Sequence, residues 1–504
     1  MSSLQAFYSN FITPWSEKTN KKYILLIILL LGLSLRIIFF TGTATSDELT
    51  YYEYAHKVTQ GTFSIELSHF SFRLGVIYPP ALFFFIFGIN ELSANGFVLI
   101  LSLLGILLIY FLGKEMFTER AGLIAAFLLS IFPLDIFYAT RLLPDLPSAF
   151  FMALTVLFFF YAERGFKPAL FFTLSGISFG IAYLMKEVSL LLGLFFFGHI
   201  LYNKRFKFAY SLIGIGPALS ILLVFLVSYH YTGDPFFQKH SNQNEEIAFL
   251  KEYYPNYFTL EGILKRTLLY LPYQFLTNVY YGSFFIVVLI SLLYIFINKK
   301  KEPIQALLWM LPLLLYINFG TISFKEYVLF PLEFRHVFII VYPSILIMAY
   351  FIENLSKRRK IILLSLLLIV SLGCNVYLQD KNQATAIKQA KQYLSDLPDH
   401  PIYADDRTAR VLEYLYGFST TQQIIPYNTY DYSDYTSSDK NREILNLSNL
   451  SNSYVIVNNA GILGSRTMHP SMQFPPELFS PPASWSLLTE IRSQEGSLII
   501  YNVD

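Results

Sequence analysis

The sequence predicts a mainly α-helical, polytopic membrane bundle that ends in a small extracytoplasmic α/β domain. Three observations carry this. Across 504 residues, 54% are hydrophobic, only 14% are charged, and the mean hydropathy is +0.46. A soluble chain carries roughly 25% charge, and so much apolar surface could not be kept out of water at this length. Apolar runs of membrane-spanning length then follow one another as far as residue 379. Beyond that point the pattern changes to short strand-like runs around an amphipathic helix.

A bilayer crossing needs about 20 mostly apolar residues. Eleven runs qualify: 23–41, 94–113, 121–138, 146–162, 168–185, 188–203, 208–230, 273–298, 304–323, 336–352 and 361–379. A twelfth run, 74–90, is short, and Pro79-Pro80 is expected to break its first half. Short cytoplasmic loops are enriched in Lys and Arg, so the basic clusters arbitrate. They are Lys18/Lys21/Lys22, Lys114/Arg120, Arg164/Lys167, Lys204/Arg205/Lys207, Lys299/Lys300/Lys301 and Lys357/Arg358/Arg359/Lys360. Eleven crossings put all six on one side, whereas a crossing at 74–90 would set the first against the other five. The expectation is therefore a cytoplasmic N-terminus, an outside tail, and a helix at 74–90 lying in the outer interface or re-entering from it, with Leu82, Phe83 and Ile86 toward lipid. Thr41-Gly42-Thr43-Ala44 resembles a signal-peptide cleavage site, but the preceding run is long for a signal h-region.

Two domains are expected: a membrane module over 1–380, with outer loops 42–93 and 231–272, and an extracytoplasmic α/β domain over 381–504. In the tail, 400–404, 422–427, 453–459 and 497–502 read as strands and 406–417 as a helix, with loop-like stretches at 428–440 and 470–482. Residues 381–504 hold 9 Lys+Arg and 13 Asp+Glu, leaving 28 and 22 for residues 1–380. No long basic face results, which excludes nucleic acid as a partner. The single Cys374 excludes an intramolecular disulfide and a cysteine-based metal site.

Charges at the ends of spans are costly unless hydrated, paired or used, and four such places map to the outer side. Asp47-Glu48 follows the first span: adjacent carboxylates there suit general-base work or cation binding, or Ser46 or Asp47 caps an interfacial helix. At helical spacing Asp47, Tyr51 and Tyr54 share a face. Arg141 and Asp145 lie between the third and fourth spans, as a cation and carboxylate beside that pair, or with Asp145 as a helix cap. Lys186-Glu187 interrupts the apolar stretch from 168 to 203, as a phosphate anchor or a turn. Arg335, in Glu333-Phe334-Arg335-His336, offers a forked donor to a lipid phosphate or a headgroup anchor. No Gly-rich phosphate loop and no HExxH occurs.

An acidic pair directly after the first span resembles the signature of the membrane-embedded glycosyltransferases of the C superfamily. The closer likeness is to the branch of protein O-mannosyltransferases and bacterial aminoarabinose transferases (family 39-like). SDELTYYEYA, YPPALFFFIFGINELSANGF, LGKEMFTERAGLIAAFLLSIFPLDIFYATRLLPDLPSAFFMALTVLFFF, LMKE and FRHVFIIVYP follow in family order, over roughly residues 20–352. The resemblance implies Asp47 as catalytic carboxylate with Glu48 beside it, and Asp145 as the acidic position of the second outer loop. Lys186 and Arg335 match the cations that hold the donor phosphate, and Arg141 joins them as a candidate. His336 stands where many relatives carry Tyr. The tail lacks any sign of the β-trefoil of eukaryotic protein mannosyltransferases.

The implied reaction is inverting transfer of a hexosyl or pentosyl group from a polyprenyl-phosphate-linked donor to a lipid, glycan or protein hydroxyl, at the outer face of the cytoplasmic membrane. It requires no nucleotide or redox cofactor. A divalent cation at Asp47 and Asp145 is compatible with the resemblance, since some wider relatives use one. The competing class is a transporter or flippase of lipid-linked glycans, which would place its charges near the midplane of repeated halves. No such repeat is visible.

Overall fold

The computed structural model describes residues 19–504 apart from 45, 67, 241–246, 248–249, 252–257, 324–326, 331–332, 381–383, 419–420, 431–440, 469–472 and 494–495. Lys18, most of the turn-rich stretch 428–440, part of the loop 470–482 and the middle of loop 231–272 lie outside the described residues.

Every expected span coincides with a helix or a broken helical run. They are α1 (Thr19–Ile38), α4 (Glu91–Met116), α5 (Glu119–Ser130) with α6 (Pro133–Tyr138), α7 (Asp145–Glu163), α8 (Pro168–Met185), α9 (Gly193–Asn203), α10 (Ser211–Thr232), α12 (Leu271–Thr277) with α13 (Phe284–Ile297), α14 (Ile304–Phe319), α15 (Phe338–Glu353) and α16 (Lys357–Asp380). Between them lie α2 (Glu48–Thr59), α3 (Leu74–Phe87) and α11 (Leu260–Lys265). Among the described residues, six helices are long and apolar enough to cross a membrane unaided: α4, α7, α8, α10, α15 and α16, with α10 and α15 each counted from a preceding short turn. The chain is an integral membrane protein.

The run 121–138 differs from the single span expected. Pro133 lacks the N–H that would continue α5, so the chain breaks at Ile131-Phe132 and restarts as α6. The run 273–298 breaks likewise, where Gly282 (φ +51°) and Ser283 (φ +67°) turn the chain between α12 and α13.

The prolines of 74–90 do not break that helix. α3 begins at Leu74 and carries Pro79 and Pro80 in its interior. Its 14 residues reach about 21 Å at 1.5 Å per residue, against a core of roughly 30 Å. Its outward face is Tyr78, Leu82, Phe85 and Ile86. Phe83, expected on lipid, instead packs on Gly96 of α4, where any Cβ would meet its ring at 2.8 Å. α8 and α10 approach through Gly176, Gly180 and Gly216: a Cβ on Gly216 would lie 1.8 Å from the Gly176 carbonyl oxygen.

From α17 (Ala384–Leu394) onward the chain builds one six-stranded sheet, of order β3-β2-β1-β4-β6-β5. Its strands are β1 (Ile402–Asp405), β2 (Ile424–Tyr430), β3 (Asn441–Ile444), β4 (Ser453–Asn458), β5 (Trp485–Ser493) and β6 (Gly496–Val503). β1 pairs in parallel with β2 and β4, and the other pairings are antiparallel. α18 (Asp406–Leu415) follows β1, capped by Asp405 Oδ1 on the Thr408 N–H at 3.1 Å, and α19 (Asn459–Met468) follows β4. β3, β5, α17 and α19 were not expected. β3 has only four residues in a polar stretch, and the buried side of α17 is largely alanine (Ala384, Ala386, Ile387, Ala390, Leu394), a weak hydropathy signal.

Candidate active site

The site is assembled around the start of α2. Loop 41–44 is buried, and Ala44 N–H donates to Glu48 Oε1 at 2.8 Å. Glu48, Tyr51, Tyr52 and Tyr54 of α2 are all buried, so this short helix is enclosed rather than lying free at an interface.

Neither candidate carboxylate acts as a helix cap. Asp47 has helical dihedrals (φ −54°, ψ −25°) and its side chain makes no capping bond; its Oδ2 instead lies 2.8 Å from Arg335 Nη1. Asp145 is the first residue of α7, behind Pro144, and its Oδ1 accepts from Lys186 Nζ at 2.6 Å. Asp145 is also among the charges acting on Arg335, which links the two pairs. Arg335 occupies a 3-10 turn leading into α15, with Nε 2.6 Å from Glu333. Neighbouring His336 is buried against Phe330, and its Nδ1 accepts the Glu333 N–H at 3.3 Å.

The circuit closes through a residue the sequence reading missed. Arg73, immediately before α3, donates through Nη1 to Tyr51 Oη at 2.9 Å, and its Nη2 lies 3.4 Å from Glu187. Arg73 also acts electrostatically on Asp47. Asp47, Arg335, Asp145, Lys186, Glu187 and Arg73 thus alternate in sign around the site: three carboxylates and three cations, contributed by five separate segments. Gln238, from the loop after α10, donates to Glu187. A lone arginine ahead of an apolar run was the available signal for Arg73.

The adjacent carboxylates face different surroundings. Burial pushes the Asp47 carboxyl up, but Arg335 above all, with His69 and Arg73, outweighs this and holds it below the usual carboxylate range. Burial pushes Glu48 up and prevails over Arg141 and its backbone hydrogen bonds. Asp47 is thereby kept ionised beside cations, while Glu48 is turned inward against loop 41–44. The Arg141 guanidinium lies 4.0 Å over the Phe137 ring, and its Nε donates to Thr41 Oγ1 at 3.4 Å; Arg141 and Arg335 both act on Tyr138.

A second ion pair, also missed, lies deeper. Arg36 of α1 is fully buried, with Nη2 2.5 Å from Asp135 of α6 and Nε donating to Ser102 at 2.6 Å. Its Nη1 donates to the carbonyls of Gly32 and Ser130. The pair fastens the C-terminal end of α1 to the α5–α6 break.

Asp47 and Asp145 each face a side-chain cation, and among the described residues no group of three or more His, Cys, Asp or Glu gathers to hold a metal. The arrangement can hold an anion between Arg335, Lys186 and Arg73, and it presents one ionised carboxylate able to accept a proton.

Residues 75–230 match the family model described as dolichyl-phosphate-mannose-protein mannosyltransferase. Together with the fold, this match supports the resemblance drawn from the sequence, to the membrane glycosyltransferases of the C superfamily in the protein mannosyltransferase and ArnT branch. The chain is similar over its length to ArnT from Cupriavidus metallidurans in the apo state, with TM-score 0.58 and 13% identity, covering 96% of this chain and 99% of that one. The same enzyme bound to undecaprenyl phosphate matches with TM-score 0.58 and 13% identity over 95% and 98% of the two chains. The Archaeoglobus fulgidus oligosaccharyltransferase tethered to an acceptor peptide matches with TM-score 0.56 and 13% identity over 97% and 75%. No curated protein matches the sequence. At these identities the solved structures show the fold.

Proposed function

We propose that this protein transfers a sugar from a polyprenyl-phosphate-linked donor to a hydroxyl of a lipid, glycan or protein acceptor, with inversion, at the outer face of the cytoplasmic membrane. The observation that carries this reading is Asp47, ionised and held by Arg335 within the ring of alternating charges. ArnT has been solved with undecaprenyl phosphate, and the Archaeoglobus fulgidus enzyme with dolichol phosphate and an inhibitory peptide, which favours a lipid-linked donor here.

In this reading the donor phosphate takes Arg335 and Lys186, displacing Asp47 and Asp145 from them. Asp47, released, accepts the proton of the acceptor hydroxyl. The hydroxyl oxygen bonds to the anomeric carbon from the face opposite the phosphate, and the carbon–oxygen bond to the phosphate breaks. Polyprenyl phosphate leaves with the electron pair, its growing charge met by Arg335, Lys186 and Arg73. No nucleotide or redox cofactor takes part. Glu48 keeps loop 41–44 in place, and Arg141 acts on Glu48 and is a further candidate for the donor phosphate.

Mass spectrometry of envelope lipids and glycans, with and without the protein, tests the proposal. A species heavier by one sugar is expected only with the wild type. Asp47→Asn, which keeps size and removes the base, should lower product by about 10²–10⁴-fold at equal protein level. Wild-type product from Asp47→Asn would remove Asp47 as the base.

A further inference from the structure

The chain beyond the last long helix grips the segments on both sides of Asp47. On the helix side, α18 lies along α2. Arg410 Nε sits 2.8 Å from Glu53, and its Nη2 donates to Thr50 Oγ1 at 3.1 Å. Tyr414 stacks on Tyr52 with centroids 4.5 Å apart and planes 18° apart. Phe418 stacks on His56 at 4.7 Å and 13°. On the loop side, Lys388 of α17 donates to the Thr41 carbonyl at 2.8 Å and pairs with Glu91 at 2.6 Å. The same Glu91 oxygen accepts the Thr43 N–H at 2.9 Å. Gly42, at φ +63°, makes that approach feasible: a Cβ there would lie 2.2 Å from the Glu91 carboxylate.

We propose that the C-terminal unit positions the catalytic carboxylate, with Arg410, Tyr414 and Lys388 as positioning residues that act through α2 and loop 41–44. The proposal rests on the reading of Asp47 as the base. A helix of 12 residues is marginal by itself and takes its stability from packing. α2 receives one side of that packing from α18. Its first turn fixes where Asp47 stands relative to Arg335, and a displacement of about 1 Å in such a group costs on the order of 10²-fold in rate. The ion pairs of Arg410 and Lys388 are partly exposed, suited to fixing an orientation, while the Tyr414–Tyr52 stack is buried.

Hydrogen exchange on the purified full-length protein in lipid nanodiscs tests this without any substrate. Arg410→Ala should speed amide exchange across residues 46–56 several-fold, leaving α4 and α7 unchanged. The charge exchange Glu53→Arg with Arg410→Glu should restore protection. Transfer, read as product mass in envelope extracts, should fall about 10²-fold in Arg410→Glu and recover in the exchanged pair, with undecaprenyl phosphate binding within twofold of wild type throughout. Unchanged exchange in Arg410→Ala overturns the proposal whatever Asp47 does. Faster exchange with transfer still within twofold of wild type overturns it as well. Normal product from Asp47→Asn, in contrast, defeats the base assignment and leaves the exchange result standing.

Discussion

At the residue scale, the site consists of charges that neutralise one another in pairs, and Arg335 decides the state of Asp47. Burial alone would favour a protonated Asp47; Arg335, His69 and Arg73 reverse the balance. A carboxyl held below its unfolded value stabilises the fold above that unfolded value, and the contribution is lost as pH falls through the lowered one. Transfer at limiting donor (kcat/KM), which reports the free protein, should therefore show no loss from Asp47 protonation until the pH drops below the usual carboxylate range. In Arg335→Ala burial is opposed only by the weaker, more distant cations, so the acid limb of the pH–rate profile should move upward. An unmoved limb would remove Arg335 as the group that sets Asp47. Glu48 runs the other way: its raised value contributes stability at low pH that is lost as pH rises through it. Asp47, Asp145, Lys186 and Arg335 were legible in the sequence because charge at a span end demands a use. Their capping and anchoring alternatives could not be dismissed there, since a cap and an ion pair call for the same residue type.

At the scale of elements, breaks and close approaches place the side chains. The α5–α6 break at Pro133 brings Asp135 to Arg36, and removing one partner of so buried a pair typically costs about 3–5 kcal/mol. The α8–α10 contact depends on glycine backbones touching. Gly216→Val should push these helices apart and lower stability by about 1–3 kcal/mol, read as an earlier midpoint in denaturation from detergent micelles. Gly214→Ala on the same helix, where a Cβ meets nothing within 4 Å, is the control and should leave the midpoint in place. A Gly216→Val midpoint equal to that of the control would mean that α8 and α10 adjust without cost. Pro79 and Pro80 show where sequence rules fell short: proline predicts a missing hydrogen bond, but whether the helix continues through it depends on what surrounds it. α3 continues because Val76, Ile77, Pro80, Ala81 and Phe84 are packed.

At the scale of the whole molecule, the ring closes only because one face of the bundle gathers the ends of α1, α3, α7, α8 and α15. The charge placement predicts that this face lies outside. Reporter fusions at residues 118, 300 and 358 should read cytoplasmic, and one at 450 should read outside. A cytoplasmic signal at 450 would put the site and the C-terminal sheet on the wrong side for the proposed donor.

The sequence by itself determined that the chain is a membrane helix bundle, where its apolar runs lie, and which charged residues stand at their ends. Those properties follow from local composition and periodicity, which the bilayer reads one segment at a time. Only the tertiary structure decided that Asp47 pairs with Arg335 and Asp145 with Lys186, that Arg73 and Glu187 complete the ring, and that α18 rests on α2. Each of these joins residues far apart in the chain, and a hydrogen bond between two distant segments leaves no mark on either one alone.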